Sequence, residues 1–384
     1  MVSVAGYYTT QFGELWEKSF SDLVKEALFG LLKSVQKIDK NEIDAIFFSN
    51  MLGGVLENNL HTPSKISELL GVNIPIFRIE AACASGGAAF HLAKKYIESG
   101  SAKTVIVLGA EKMTDYSPEE TTSALISAAS GEEQEAGLTF PGLYAMLANF
   151  YLQKYHYKEE NLAYIAVKNH FHGSLNKKAH FRKRITVKNV LESPYIAFPL
   201  KVLDSSPISD GAAAVLLTSD NNILKKLTNK IEILASEVAT DSISLARRKD
   251  LDSILATKIA AEKAFKTAAL APKEINVAEL HDCFSIAEIL AMEDLGFWEK
   301  GTGGKNILEL PTMLGNSGDL VVNTSGGLKA SGHPVGATGV KQIGEIYLQL
   351  TNQAEERQVK KAHYGLAHNV GGSGGTAVVT ILGI

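Results

Sequence analysis

The chain has 384 residues, is 45% hydrophobic and 21% charged, and carries a formal net charge of −4. These values predict a globular protein with more than one core-bearing unit and give it no general attraction to nucleic acid. No run of about 18 apolar residues could span a bilayer, and the start lacks a basic region followed by an apolar run, so we expect a cytoplasmic protein. Because Cys83 and Cys283 are the only cysteines, a disulfide scaffold is excluded and thiol chemistry stays open.

The first half of the chain alternates short apolar runs with helical patterns. SVAGYY predicts a strand, and apolar residues then recur at helical spacing from Leu23 to Val35 behind Ser21, the predicted N-cap. The apolar runs IDAIFFS and IPIFRI flank a helical SKISELLG, and another helical pattern follows CASGG before the run TVIVLG. This alternation predicts βαβ units and a mainly parallel sheet.

The second half repeats this order of elements. A helical pattern begins near Ile254, INVAEL predicts a strand, and helical patterns follow HDCFS and GHPVGATG. Two strand endings also match, DGAAAVLLTS at 210–219 and GGTAVVTILG at 374–383. We therefore predict an internal duplication, with halves at residues 1–223 and 224–384.

A segment from about residue 114 to 200 has no counterpart in the second half. It includes GEEQEAGLTFPGLYAMLANFYLQKY and the basic run KKAHFRKR at 177–184. Insertions beyond ordinary connection length are often lids or binding regions, so we predict an inserted loop subdomain, with a structural or oligomerising excursion as the alternative. The basic run is either a solvated loop or a local site for an anion.

Cys83 lies where an apolar run gives way to small residues and then to a helical pattern. At a helix N-terminus the macrodipole and the free N–H groups favour a thiolate, and small neighbours leave room for a substrate. The pattern predicts a nucleophile, with a small core hydrophobe as the alternative.

Two glycine-rich segments follow in the second half. In NTSGGLKASGHPVGATG, His333 lies between Gly332 and Pro334, so a defined loop would present its imidazole as a base or a donor; an ordinary loop histidine is the alternative. HNVGGSGG at 368–375 precedes a strand pattern, and no GxxxxGK[ST] sequence occurs, so a phosphate loop is rejected. The N–H groups of that turn are candidates for an oxyanion site.

The segment HDCF places His281 and Cys283 at a strand-to-helix junction, where side chains commonly reach a cleft. Three consecutive residues cannot easily face one ion, and no regular ligand spacing accompanies them. No metal site is therefore predicted.

These four segments together resemble the thiolase superfamily over nearly the whole chain, most specifically in NTSGGLKASGHPVGATG. The resemblance implies an α/β fold in which a βαβαβαββ unit is duplicated in five layers, α-β-α-β-α, with an inserted loop subdomain. Two motifs depart from the commonest thiolase pattern: HDCF replaces NEAF, and Asn369, Val370 and Gly371 replace the CxG motif. HDCF, FPGLYAMLANFY and PISDGAAAV are similar to sterol-carrier-protein-type and archaeal acetoacetyl-CoA thiolases, in which the HDCF cysteine is taken to be the acid/base.

The resemblance implies an acyltransferase that condenses two acetyl-CoA molecules to acetoacetyl-CoA and CoA by a ping-pong Claisen reaction through an acetyl-cysteine. Cys83 would be the nucleophile, His333 would help to deprotonate it, and the N–H groups of Cys83 and Gly371 would hold the oxyanion. Cys283 would then deprotonate the second acetyl-CoA, with His281 and His333 as donors to the enolate.

His368 is the alternative to Cys283 as the base. No metal or redox cofactor is implied, because the thioester supplies activation and leaving group, and coenzyme A belongs to the substrate. Lys178, Arg182 and Arg184 are candidates for its phosphates on charge alone.

The resemblance further implies a homodimer or homotetramer, a role in the mevalonate pathway, and a complex with hydroxymethylglutaryl-CoA synthase through a small OB-fold bridging protein. The alternative functions are a degradative 3-ketoacyl-CoA thiolase for longer acyl chains and a non-catalytic, thiolase-like scaffold subunit. No lipid-carrier segment follows the thiolase-like region, which favours the short-chain role.

Overall fold

A computed structural model describes residues 1–35, 38–316 and 318–384. Its strands are β1 (Ser3–Thr9), β2 (Ala45–Ser49), β3 (Ile76–Ile79), β4 (Thr104–Glu111), β5 (Tyr195–Ala197), β6 (Leu200–Lys201), β7 (Gly211–Thr218), β8 (Ile231–Thr240), β9 (Val277–Glu279), β10 (Val321–Val322), β11 (Tyr364–Gly371) and β12 (Thr376–Gly383). Its helices are α1 (Phe20–Ser34), α2 (Thr62–Leu70), α3 (Ser85–Glu98), α4 (Pro118–Ile126), α5 (Gly131–Glu135), α6 (Phe140–Tyr155), α7 (Glu159–Ser174), α8 (Val187–Glu192), α9 (Asn221–Lys226), α10 (Leu255–Ala268), α11 (Ser285–Asp294), α12 (Gly303–Asn306), α13 (Gly327–Ser331) and α14 (Val335–Leu350).

Ten strands form one sheet in the order β10-β9-β11-β12-β8-β1-β7-β4-β2-β3. Read outward from the centre, each half has the same order: β1, β7, β4, β2 and β3 on one side, and β8, β12, β11, β9 and β10 on the other. The predicted duplication is therefore confirmed. The two halves join through a short antiparallel pairing of β1 with β8, in which Ser3 faces Glu232 and Val4 faces Ile231.

The expectation of a mainly parallel sheet is wrong. Strand β2 pairs in parallel with β3 and β4, and β9 pairs in parallel with β10 and β11. The other five pairings are antiparallel. Four residues, 372–375, connect β11 to β12, and parallel neighbours would need a crossover of a dozen or more.

Helices α3 and α14 form a central layer between the two halves of the sheet. Helix α14 contacts β4 and β7 on one side and β9 and β11 on the other, while α3 contacts β2, β4, β8 and β12. Helix α1 covers the outer face of the first half and α10 the outer face of the second. These layers give the α-β-α-β-α order.

Glycines let the two central helices cross almost backbone to backbone. A Cβ atom at Gly86 would lie 2.8 Å from the Gly339 nitrogen, and one at Gly339 would lie 2.3 Å from the Gly87 nitrogen. Real side chains do not approach so closely, so the small residues of CASGG and GATG are required for this crossing. The crossing brings the segments that precede both helices together.

Helix α1 begins two residues earlier than the sequence indicated. Its N-cap is Ser19, not Ser21: the Ser19 hydroxyl accepts from the Asp22 N–H at 3.2 Å, and the Asp22 carboxylate accepts from the Ser19 N–H at 3.0 Å. This reciprocal capping needs a polar acceptor three residues after the cap, which Ser21 lacks because Val24 occupies that position.

The inserted subdomain, residues about 114–200, contains α4 to α8, β5 and β6. It shares a buried cluster with the second half, because α6 and α7 contact α11 and α7 contacts α13. The predicted division after Ile223 falls inside α9, and the division itself stays a prediction. Among the helices of the described residues, none has the length and apolar character needed to cross a membrane.

Candidate active site

Segments from both halves converge on one cavity of about 190 Å³, here called the cysteine cavity. Cys83 lies between β3 and α3, and Cys283 lies between β9 and α11. His333 and Gly372 also line it, and most of the remaining wall is apolar. Those apolar wall residues are Met113, Leu125, Phe140, Pro141, Ile196, Pro207, Ile208, Phe284 and Val335.

Cys83 occupies a tight turn immediately before α3. Ala82 has a φ of 51°, and the Ser85 hydroxyl holds this turn by donating to the Ala82 carbonyl at 2.5 Å. Burial raises the pKa of the Cys83 thiol to about 12, while the N–H groups of Gly372 and Cys83 act in the opposite direction. Desolvation thus opposes the thiolate that a helix N-terminus favours, so a base must take the proton during attack.

His333 is placed to be that base. It lies between α13 and α14, and its Nδ1 is 2.7 Å from the Thr338 hydroxyl, which donates to the Pro334 carbonyl at 2.9 Å. Its Nε2 is buried and has no hydrogen-bond partner among the described residues. Burial lowers the pKa of His333 to about 3, so the ring is neutral near pH 7.

His281 faces the same point from the HDCF segment. One ring nitrogen of each histidine and the Cys83 Sγ lie within 4.8 Å of one another. The two rings are 5.1 Å apart and nearly perpendicular, and the His281 pKa lies well below its usual value, chiefly through burial. Sulfur and imidazole are also zinc ligands, and a metal held here would need a Cys83 thiolate and a free lone pair on each histidine.

Cys283 is buried beside a tyrosine that the sequence did not single out. Tyr144, from α6 of the inserted subdomain, donates to the Gly372 carbonyl at 3.0 Å, and its ring stacks on Phe284 at 4.7 Å. Burial raises the pKa of Cys283 to about 12, and hydrogen bonding to the Tyr144 hydroxyl opposes that rise. One hydroxyl thus touches both the second thiol and the glycine turn. Because Tyr144 lies within an apolar helical pattern, the sequence does not distinguish it from an ordinary core residue.

Asp282, between these two site residues, turns away from the cavity. Its carboxylate accepts from the Leu328 N–H and from the Asn169 side chain, each at 2.6 Å. It therefore joins the HDCF segment to α7 and to α13. In HDCF, alternate residues serve the site and the scaffold.

The glycine turn contributes its N–H one residue later than expected. Gly371 still belongs to β11, where it pairs with Thr376. Gly372, with a φ of 62°, lines the cysteine cavity, and its N–H is the one directed at the Cys83 thiol. A Cβ at Gly371 would lie 2.4 Å from the Ala81 carbonyl oxygen, so Gly371 permits the close approach and Gly372 supplies the donor.

His368 and Asn369 are neighbours on β11, and successive strand residues point to opposite faces. The His368 Nε2 lies 2.9 Å from the Thr257 hydroxyl of α10, in the outer layer, so this ring does not line the cysteine cavity. Asn369 faces the central layer, where it contacts Cys83, Gly87 and His281.

Glu111, at the end of β4, fixes the loop that carries His333. Its carboxylate accepts from the N–H groups of Met51 and Gly336 at 3.0 Å and of Leu52 at 2.9 Å. Burial raises its pKa to about 7. No motif or spacing in the sequence singled out this residue.

The three basic residues do not gather at the cysteine cavity. Lys178 lines a separate cavity of about 270 Å³, donates to the Thr9 carbonyl, and lies 3.9 Å from the centre of the Tyr8 ring. Arg182 and Arg184 are exposed. A role in binding CoA phosphates stays a prediction for all three.

Comparisons with known proteins agree on one family. The family model "Thiolase, N-terminal domain" matches residues 2–221, and "Thiolase C-terminal domain-like" matches residues 237–384. The acetyl-CoA acetyltransferase of Methanothermobacter thermautotrophicus is 44% identical over 382 residues, covering 99% of this chain and 98% of that protein. Human sterol carrier protein 2 is 34% identical over 399 residues, covering 99% of this chain and 71% of that protein.

Solved structures share the fold at lower identity. The Ltp2-ChsH2(DUF35) aldolase has a TM-score of 0.85 at 20% identity, covering 100% of this chain and 97% of that chain. Human mitochondrial 3-ketoacyl-CoA thiolase has a TM-score of 0.73 at 18% identity, covering 100% of this chain and 98% of that chain. Together with the two matched domains, these findings show that the chain belongs to the thiolase family and is an acyltransferase.

Proposed function

We propose that this thiolase is an acetyl-CoA C-acetyltransferase that condenses two acetyl-CoA molecules to acetoacetyl-CoA and CoA. The observation that carries the proposal is that Cys83 and Cys283, from opposite halves of the fold, line one cavity together with His333. Two archaeal relatives at 44% identity, both named acetyl-CoA acetyltransferase, support acetyl-CoA as the substrate.

In the first half-reaction, the Cys83 sulfur attacks the thioester carbonyl while the His333 Nε2 takes the thiol proton. The N–H groups of Cys83 and Gly372 hold the oxyanion. Collapse of this intermediate breaks the bond to the CoA sulfur, and the Cys283 thiol gives its proton to that sulfur. The products are acetyl-Cys83, CoA, a His333 imidazolium and a Cys283 thiolate.

This assignment of protons follows from the resting site. With both thiols neutral, Cys283 has no capacity to act as a base until it has released its proton, and the leaving CoA thiolate accepts it. The Cys283 thiolate then deprotonates the methyl group of the second acetyl-CoA, and N–H donors from His281 and His333 stabilise the enolate oxygen. The enolate carbon bonds to the acetyl carbonyl carbon, Cys83 leaves, and His333 returns its proton.

Mass spectrometry after treatment with acetyl-CoA tests the proposal. We expect one acetyl group on Cys83, followed by formation of acetoacetyl-CoA when more acetyl-CoA is added. An adduct confined to another residue, or no adduct with active acetyl-CoA present, would remove the proposed nucleophile.

Two alternatives use the same residues differently. A degradative thiolase for longer 3-ketoacyl-CoA is supported by the similarity to human sterol carrier protein 2, and profiling thiolysis against chain length distinguishes it. A non-catalytic scaffold is opposed by the clustering of Cys83, His281 and His333.

The proposal also covers the oligomeric state and the partner proteins. A homodimer or homotetramer is supported by β3, an edge strand on which Phe77 is 41% exposed, because sheet edges need cover. Light scattering tests it, and a monomer would contradict it. Transfer of acetoacetyl-CoA to a hydroxymethylglutaryl-CoA synthase through an OB-fold protein, in the mevalonate pathway, is tested by comigration of the three proteins.

A further inference from the structure

Asn369 lies between the nucleophile and the HDCF segment, at the place where the commonest thiolase pattern has its second cysteine. We propose that Asn369 is a positioning residue that fixes His281 in the tautomer carrying hydrogen on Nε2, so that His281 is a donor and not a base. The catalytic meaning of this tautomer rests on the proposed function, whereas the tautomer itself does not.

Backbone groups determine which way the Asn369 amide points. The Gly87 N–H can only donate, and it lies 3.0 Å from the Asn369 Oδ1. The Cys83 carbonyl can only accept, and it lies 2.9 Å from the Asn369 Nδ2. Exchanging oxygen and nitrogen would set donor against donor and acceptor against acceptor, at a side chain that is 2% exposed.

The orientation of the amide then decides the tautomer of His281. The His281 Nδ1 lies 3.2 Å from the same Asn369 Nδ2, which has only hydrogens to offer. Nδ1 must therefore accept, and in the neutral ring the hydrogen resides on Nε2. That nitrogen is buried and has no partner among the described residues, so its N–H is available to a substrate oxygen.

His333 takes the opposite tautomer. The arrangement that uses every hydrogen has its Nδ1–H donating to Thr338 and the Thr338 hydroxyl donating to Pro334, which leaves a lone pair on Nε2. One imidazole thus offers a lone pair and the other an N–H beside the same sulfur. This pairing also opposes a metal ion held by Cys83, His281 and His333, because the His281 Nε2 has no free lone pair.

Glycines make room for the amide. A Cβ at Gly87 would lie 3.1 Å from the Asn369 Oδ1, and one at Gly339 would lie 2.3 Å from it. The glycines of CASGG and GATG therefore serve the amide as well as the helix crossing. A buried slot of this kind holds the amide in one orientation.

The tautomer is measurable without substrate. Nitrogen-15 NMR of the whole protein labelled at histidine, with His281→Gln for assignment, should show an unprotonated Nδ1 and a protonated Nε2 for His281. A hydrogen on Nδ1 would overturn the proposal whatever the activity. Since no acetyl-CoA is present, this result is independent of the proposed function.

Asn369→Asp tests whether the tautomer of His281 matters for condensation. The carboxylate can only accept, so it should draw the hydrogen of His281 to Nδ1 and remove the Nε2–H donor. We expect condensation to fall about 100- to 1000-fold, as for loss of one oxyanion donor, while acetylation of Cys83 changes by less than about tenfold because His333 is untouched. Equal loss of both half-reactions would indicate a structural role and overturn the proposal.

The pH profile of this variant gives a third readout. His333, His368 and Lys341 act on His281 through their charge, and the titratable Cys83 thiol faces the same ring. The new carboxylate should raise the pKa of His281, and the imidazolium carries hydrogen on both nitrogens, so the rate of condensation in Asn369→Asp should recover as the pH falls. A profile parallel to that of the unsubstituted protein would contradict the proposal.

Asn176→Asp is the matched control. The buried amide of Asn176 accepts from the Lys178 N–H at 3.0 Å and donates to the Ser325 carbonyl at 2.8 Å, and no histidine of the described residues is among its side-chain hydrogen-bond partners. Asn176→Asp therefore places a carboxylate against a backbone carbonyl, as Asn369→Asp does, and should have a similar cost in stability. Condensation by this variant should stay within about threefold of the unsubstituted protein, and a loss as large as that of Asn369→Asp would overturn the specific role.

Discussion

The two halves of this fold have the same strand order and contribute different chemistry. Cys83 lies two residues before α3, and His333 lies two residues before α14, so nucleophile and base occupy corresponding positions. The segment after β9 supplies His281 and Cys283. The corresponding segment after β2 is instead hydrogen-bonded to Glu111, and none of its residues lines the cysteine cavity.

This difference shows how a duplicated fold acquires an asymmetric site. The crossing of α3 and α14 places equivalent positions of both halves next to each other, and side-chain identity then decides the role of each. The first half supplies an acyl acceptor, and the second supplies proton acceptors and donors.

Substitution of the two cysteines should have the largest and most unequal effects. Cys83→Ala should form no acetyl-enzyme and no acetoacetyl-CoA, because the acyl acceptor is gone. Cys283→Ala should still become acetylated, more slowly because the leaving CoA sulfur loses its proton donor, but condensation should fall about 100- to 10,000-fold, the usual range for loss of a general base. Labelled acetyl-CoA and steady-state rates measure both effects.

Either variant can contradict the division. A labelled acetyl-enzyme in Cys83→Ala would remove the nucleophile. Exchange of methyl protons with solvent in Cys283→Ala would indicate another base, and His333 would be the first residue to substitute, because it lines the cysteine cavity and the His368 ring does not.

Tyr144→Phe should have the next largest effect. Its hydroxyl donates to the Gly372 carbonyl in the resting site, and it would turn this one hydrogen to the Cys283 thiolate formed during the reaction. Losing a hydrogen bond to a charged group costs about 1.5–3 kcal/mol, so condensation should slow about 10- to 100-fold.

Tyr157→Phe is the control, because the Tyr157 hydroxyl also donates to a carbonyl, that of Gly301, at 2.9 Å and away from the cavity. Its rate should be unchanged. Equal rates for the two variants would show that Tyr144 only packs.

Acid should destabilise the protein through buried neutral histidines of the second half. Burial lowers the pKa of His333 and His368 to about 3 and that of His281 well below its usual value. Below about pH 6.5 these rings gain a proton only on unfolding, and each reduces the free energy of unfolding by up to about 1.4 kcal/mol per pH unit until its folded pKa is reached. Thermal melts from pH 7.5 to 5 should therefore show a falling Tm.

Glu111 acts with the opposite sign. Its pKa is raised to about 7, so its contribution to stability is lost as the pH rises from about 4.5 through 7.

His368→Gln isolates the histidine effect, because it should flatten the fall of Tm below pH 6.5 and leave condensation intact. An unchanged slope would show that His368 does not contribute.

The basic segment should give the smallest effect. Neutralising Lys178, Arg182 and Arg184 one at a time should raise KM for acetyl-CoA by about two- to fivefold at low salt and less at high salt, as expected for exposed charge pairs. Lys188→Ala, an exposed lysine of the same subdomain paired with Glu192, is the control. Unchanged KM for all three would identify the run as a solvated loop.

Local patterns predicted the layers because they depend on short-range periodicity. The alternating runs and the matched strand endings at 210–219 and 374–383 led to the duplicated fold. Strand direction was predicted wrongly, because apolar runs in a covered sheet read alike in parallel and antiparallel pairs. The N-cap of α1 was predicted two positions too late, because two serines lie near the start of the helix and only Ser19 has a polar acceptor three residues later.

Only part of the candidate active site could be predicted from the sequence. Cys83, His281, Cys283 and His333 follow from motifs, but Asn369 and Tyr144 act on residues 286 and 228 positions away in the chain. No local spacing encodes such contacts. The donor of the glycine turn moved from Gly371 to Gly372 because the end of β11 depends on its pairing with β12.

The sequence by itself determined the duplicated order of elements, the family, and the residue types available for acyl transfer. Only the tertiary structure decided the protonation of those residues, the direction of the strands, and the separation of Lys178 from the cysteine cavity. The reason is physical: pKa and tautomer depend on desolvation and on partners brought together by the crossing of α3 and α14, and neither is a property of a short stretch of chain.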